Sequence, residues 1–209
     1  MKSRFSAYAH RVHGCEDCAL LPWAHLAALL ALCLLPILSA CKTGGIVNPF
    51  VAMKPDYSEV NADALRAAAR DIEAAVKQGN RDFALGTYEG LNLDTDELKQ
   101  AIRTRAARVQ LVQDFLNSGH AYEQNNGLLN IQRTSAYKKF GTSRDRDRNA
   151  LLVMGENNDR WMLYEGIVEA NNYSGRSLSA IQSVFHQARV ELLESGQKYQ
   201  NEAGEILVK

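Results

Sequence analysis

His120-Ala121-Tyr122-Glu123-Gln124-Asn125-Asn126-Gly127-Leu128-Leu129-Asn130-Ile131-Gln132 reads as two short strands around an Asn-Asn-Gly reversal. Asn-Gly is the strongest short-range signal for a β-hairpin, because both residues tolerate the positive φ that a tight reversal demands. The pattern returns where Lys198–Asn201 and Glu205–Val208 flank Glu202-Ala203-Gly204. Two hairpins predict one small antiparallel sheet.

Outward from the hairpins the apolar period changes from two to 3.6. Upstream, a helix opens at Asp94 with Glu97 three residues on, a capping-box spacing, and carries Leu98, Ala101, Ile102, Val109, Val112, Phe115 and Leu116 before Gly119. Its other face holds Lys99, Arg103, Arg105 and Arg108 and reads as basic and solvated. Earlier still, Asn61 caps an Ala-rich helix with Leu65, Ala68, Ala69, Ile72, Ala75 and Val76 on one stripe and Gly79 after its end. Between the hairpins a helix is expected from about Asn149 to Asn171, entered through an alternating, solvated segment Arg144-Asp145-Arg146-Asp147-Arg148. The last helix begins near Ser177 or Ser179 and presents Ile181, Val184, Phe185, Ala188 and Leu192. The fold class is therefore α+β: amphipathic helices packed on a small antiparallel sheet built from two β-hairpins.

The N-terminal forty residues are of another kind. Lys2, Arg4 and Arg11 precede Leu20–Leu38, which is nearly all apolar, and the run ends in Leu38-Ser39-Ala40-Cys41. That is the pattern of a bacterial lipobox, in which a thiol is required because it alone is alkylated to a diacylglycerol thioether. A retained membrane helix is the competing reading, since the run could just span a bilayer; Pro22, Pro36 and the small-residue exit favour processing. Residues 1–40 are thus expected to be a lipoprotein signal peptide, Cys41 the acylated anchor, 41–60 a flexible tether with Gly44, Gly45, Pro49 and Pro55, and 61–209 the α+β domain. Lys42 after the cysteine predicts the outer membrane, with the domain facing the periplasm.

Composition narrows the function. The 209 residues hold 24 Lys+Arg against 24 Asp+Glu, and removing residues 1–41 leaves the remainder within one charge of neutral. Neither the total nor any long run of one sign offers a footprint for nucleic acid or an acidic membrane. All four cysteines lie at or before Cys41, the Cys15-x-x-Cys18 pair included, so the body has no thiol nucleophile and no cysteine metal site. Its two histidines, His120 and His186, stand far apart, which predicts no metal centre, and no cofactor is expected. No motif for acyl transfer, nucleotide binding or zinc hydrolysis occurs. Glu123 with His120, or Glu156 with Glu165, are the only acid–base pairs that suggest themselves. Nothing fixes their geometry, and the expectation is a protein that is not an enzyme.

The residues that stand out are Glu156-Asn157-Asn158-Asp159-Arg160 followed by Tyr164. On a helix Asn157, Arg160 and Tyr164 adjoin, forming either a polar ridge for a partner or a set of caps that lock the hairpins, the latter favoured because buried Asn and Arg commonly satisfy free turn groups. Gly119-x-x-x-Glu123, Asn126-Gly127-Leu128-Leu129, Glu156-Asn157-x-x-Arg160-x-x-x-Tyr164-x-x-Ile167, Gly196 and the Gly204 hairpin together resemble the YdbL-like periplasmic proteins, a family catalogued as a domain of unknown function, over residues 95–209. The resemblance implies a non-enzymatic accessory that works beside an AsmA-like bridging protein and a small lipoprotein in carrying phospholipid between membranes. This chain departs from the pattern in its lipobox, its extra N-terminal helix and an inserted stretch around Ser135–Asp147. Glu123, Gly127, Asn157, Arg160 and Tyr164 are the candidate structural or partner-binding residues. The alternative function is a periplasmic lipoprotein that binds a small molecule or lipid.

Overall fold

The computed structural model describes residues 54–209; the expected signal peptide, the expected anchor Cys41 and most of the expected tether fall outside the described residues. The chain is α+β, as expected. Its helices are α1 (Ala62–Lys77), α2 (Asp96–Asn117), the short α3 (Ser135–Lys139), α4 (Ser143–Ala170) and α5 (Leu178–Leu192), with a 3-10 turn at Gly175–Ser177. Its strands are β1 (Ala121–Glu123), β2 (Leu129–Ile131), β3 (Lys198–Gln200) and β4 (Ile206–Val208).

Local chemistry sets the helix ends. The Asn61 side chain accepts from the Ala64 amide and opens α1. For α2 the cap is Thr95, whose hydroxyl accepts from Leu98 N–H at 3.3 Å. This corrects the expected start at Asp94, which instead pairs with Lys99; either side chain can cap, and an apolar period does not resolve a one-residue shift. The segment Arg144–Arg148 is also corrected. It forms the first turns of α4, held by a capping box in which Thr142 and Asp145 bond each other's backbone N–H.

The sheet order is β2-β1-β3-β4. Each hairpin is antiparallel, but β1 and β3 pair in parallel, so the sheet is mixed where one wholly antiparallel was expected. Both turns have the three-residue form. Gln124 N–H donates to Leu128 C=O and Gly127 N–H to Gln124 C=O, with Gly127 at φ 80°. Asn201, Glu205 and Gly204 repeat this, Gly204 lying at φ 85°. Only the glycine of each turn has positive φ, so the first is a type I turn closed by a left-handed glycine and not the two-residue Asn-Gly form. Asn125 Nδ2 donates to Asn201 C=O at 3.2 Å and ties the two turns together.

Alternate β1 residues Ala121 and Glu123 are buried toward the helices. The core is split in two. One apolar cluster gathers Leu65, Ala69, Ile72, Leu98, Ile102, Leu163, Ile167, Ile181 and Phe185. The other, under the first hairpin, gathers Val112, Phe115, Leu116, Ala121, Leu129, Tyr137 and Val153. Between these clusters α2 and α4 bury charged residues, Arg105 on the first and Glu156 and Arg160 on the second.

Candidate functional site: a ring of buried charges

Glu73, Arg105, Glu156, Arg160, Glu123 and Arg189 close a ring in which every carboxylate bridges two guanidiniums and every guanidinium two carboxylates. Arg105 grips Glu73 through both terminal nitrogens, at 3.0 and 2.8 Å, and gives its Nε to Glu156 at 2.9 Å. Arg160 gives its Nε to Glu156 at 2.8 Å and grips Glu123 at 2.7 and 2.9 Å. Arg189 joins Glu123 at 3.0 Å to Glu73 at 2.7 Å. All are charge-assisted, and the Arg105–Glu73 and Arg160–Glu123 pairs are two-pronged, the strong class. One ring thereby fastens α1, α2, α4, α5 and β1, and Arg105 and Arg160 within it are each 1% exposed.

The ring also holds the first turn. Gly127 C=O accepts from Arg189 Nη2 at 2.7 Å and from the Tyr164 hydroxyl at 2.7 Å, and Arg189 Nη2 reaches the Tyr164 oxygen at 2.8 Å. A Cβ on Gly127 would stand 2.9 Å from that hydroxyl, so the approach requires glycine as well as the positive φ. Beside it, the Asn157 amide bonds Leu129 twice, accepting from its N–H at 2.8 Å and donating to its C=O at 2.9 Å. Asn157 thus imitates a neighbouring strand along the outer edge of β2. The five residues singled out from sequence, Glu123, Gly127, Asn157, Arg160 and Tyr164, lie together around one hairpin, with their polar groups engaged by each other and by backbone.

Truncation of Asn157 to alanine leaves both Leu129 groups unpaired at a half-buried edge. A loss of about 1–3 kcal/mol is expected in urea unfolding, with the slope unchanged.

The electrostatics make the ring inert to protons near neutrality. Burial alone would raise the Glu123 carboxyl, but the guanidiniums of Arg160 and Arg189 more than offset it and hold it at about 2. Burial likewise opposes ionisation of Glu156 and Glu73, and their arginine neighbours prevail, keeping both below the usual carboxylate range. Burial raises the Tyr164 hydroxyl. Burial, with Arg189 next in weight, pushes His186 down to about 4, and its Nε2 has no partner among the described residues. A general acid or base must exchange its proton near working pH, and no ring carboxylate does. Glu165 is exposed, away from the ring, and His120 packs on Phe140 at 4.5 Å between ring centres. Among the described residues no cluster of three His, Cys, Asp or Glu is placed to hold a metal.

Arg105 corrects the expectation of a wholly solvated basic face on α2, and Arg108 reaches inward to Glu156 and Asp159. Glu73 and Arg189 belong to no motif or capping pattern in the sequence. Their signal was a charge placed on an apolar stripe: Glu73 follows Leu65 and Ala69 by eight and four residues, and Arg189 follows Phe185 by four.

The ring lines a cleft of about 40 Å³ whose apolar wall includes Val76, Val109 and Leu116. That is space for a few water molecules. A second, shallower groove of about 210 Å³ lies between α2 and α4. No protein-family model, curated protein or solved structure matches this chain.

Proposed function

We propose that this chain is an outer-membrane lipoprotein, anchored through Cys41, whose periplasmic domain is a non-enzymatic docking module for another envelope protein. The observation that carries the reading is the asymmetry of the sheet edges. On β2 three of the four outward groups are occupied: Asn157 takes both those of Leu129, and Ile131 N–H donates to Asn130 Oδ1. On β4 they are free among the described residues. The bonds from Lys209 N–H to Gln197 C=O and from Asn201 N–H to Glu205 C=O fix the alternation. Leu207 therefore faces β3, while Ile206 and Val208 turn their N–H and C=O outward. The side chains of Ile206, Leu207 and Val208 are exposed as well, at 39%, 39% and 61%. An exposed apolar edge is a template for strand addition, which a protein either blunts or uses.

The partner is proposed to be an AsmA-like bridging protein or a small lipoprotein, and the role support of phospholipid transport between membranes, as the resemblance to YdbL-like proteins implies. The rival reading, a lipid or small-molecule carrier, calls for a pocket of roughly 300–1,000 Å³. The cavities of about 40 and 210 Å³ do not favour it.

Proline at position 208 removes an outward N–H without breaking a bond to β3. The tagged full chain, purified from membranes, is expected to bring down its bridging or small-lipoprotein partner, and Val208→Pro to lose it with the melting point kept within a few degrees. Cys41→Ser is expected to move the chain to the soluble fraction. Retention of the partner by Val208→Pro would refute edge addition.

A further inference from the structure

The open edge of β4 is complementary to a second copy of itself. The ladder to β3 runs past both ends of the strand, through Asn201 N–H on Glu205 C=O and Lys209 N–H on Gln197 C=O, so Glu205-Ile206-Leu207-Val208-Lys209 is one extended run. Every residue of it is exposed, its ends carry opposite charges and its middle is apolar. Ile206 and Val208 turn their N–H and C=O away from β3, with Leu207 between them. Neither end charge belongs to an ion pair among the described residues: Glu205 accepts from the Asn201 amide at 2.9 Å, and Lys209 donates to Val190 C=O at 3.0 Å.

We propose that a second copy of this chain covers the edge, β4 pairing antiparallel with β4 about a two-fold axis at Leu207. In that register Ile206 lies opposite Val208 of the second copy, and the two residues exchange both of their outward bonds, so every outward N–H and C=O of the edge is used. Glu205 falls opposite Lys209 of the second copy at each end, and Leu207 falls opposite itself. Moving the axis to Ile206 sets Val208 against Gly204, whose N–H is already held by Asn201 C=O, and separates the opposite charges.

The end charges are what select a second copy. Opposite charges directly across an antiparallel pair stabilise it and like charges destabilise it, and this run meets its own copy with an attractive pair at each end and no repulsive one. The same patch serves both chains, as a two-fold interface requires. Two four-stranded sheets thereby become one continuous sheet. So short a contact falls at the low end of interface size, which makes the dimer a reversible cover for the edge. The inference shares the open edge with the docking reading but needs no envelope partner. Because both use the outward groups of Ile206 and Val208, a docked partner has to displace the second copy.

The test is oxidative crosslinking of the purified full chain carrying Leu207→Cys, in detergent and with no other protein present. Across a non-hydrogen-bonded pair the Cα atoms stand about 4.5 Å apart, within reach of a disulfide, so a band of doubled mass that reductant removes is expected. The natural cysteines all lie at or before Cys41, and the chain without the added cysteine reads their background. Adding Glu205→Lys, or adding Lys209→Glu, sets like charges opposite each other at both ends, and each is expected to cut the doubled band by about tenfold. A mixture of these two variants makes every end pair opposite again and is expected to restore the band, which an unfolded variant could not do. Absence of the band above background in a chain with the wild-type melting point, a yield indifferent to both charge reversals, or failure of the mixture to restore it would overturn the dimer. Those results leave the docking reading standing, and a doubled band in a chain that recovers no envelope partner from membranes sinks docking alone.

Discussion

Arg160→Ala is expected to destabilise the domain by about 3–5 kcal/mol, because it strips a buried two-pronged partner from Glu123 and one of the two ring partners from Glu156. For a body of this size, that loss lowers the melting point by on the order of 10 °C. The removal also frees part of the Gly127 carbonyl's hold, so the first hairpin loosens with it. Calorimetry of the full chain reads the first effect, and amide exchange at Ala121–Ile131 reads the second. Simultaneous replacement of the ring by apolar residues of matching volume is expected to restore much of the stability, since the desolvation of six charges opposes their attraction. A loss below about 1 kcal/mol for Arg160→Ala would place the pair among surface-like bridges and contradict the ring as the central fastening.

Acid should unfold the domain in two stages. His186 is held neutral, its folded value of about 4 lying below its ordinary 6.5. The unfolded chain therefore binds the extra proton first, and stability present above pH 6.5 declines as pH falls toward 4. The ring carboxylates follow. Glu123 has a folded value of about 2 against an ordinary 4.5, so its contribution is complete above pH 4.5 and is lost as pH falls through 4.5 toward 2. That one carboxyl is worth on the order of 3 kcal/mol, and Glu73 and Glu156 act in the same direction. Urea midpoints across pH 2.5–7.5 should show a shallow decline followed by a steep one. His186→Gln is expected to abolish only the first. A profile that is flat down to pH 3 would contradict the ring's ionised state.

How much of this could be read from the residues divides by the range of the interaction. The hairpins, α1 and α5 follow from local signals, Asn and Gly at the turns and apolar positions at 3.6 spacing. The parallel pairing of β1 with β3 joins segments more than seventy residues apart, and no local preference encodes it. Arg144–Arg148 resisted because alternating charge hides a helical period, although Thr142 and Asp145 at capping-box spacing marked its start. Glu123, Gly127, Asn157, Arg160 and Tyr164 were legible as a set because three of them share one helix face. Their partners Glu73, Arg105 and Arg189 were not, since a charge on an apolar stripe reads as an irregularity until its counter-charges on other helices are brought beside it.

The closing of one sheet edge and the opening of the other is the claim on which the function rests, and a photocrosslinking residue introduced in living cells tests it most directly. Placed at Ile206, it should yield a discrete adduct with a bridging protein or small lipoprotein, lost when Val208→Pro is added; placed at Asn130 on the edge covered by Asn157, it should yield none. An adduct from Asn130 with silence at Ile206, in a chain that is folded and membrane-attached, would contradict docking through β4.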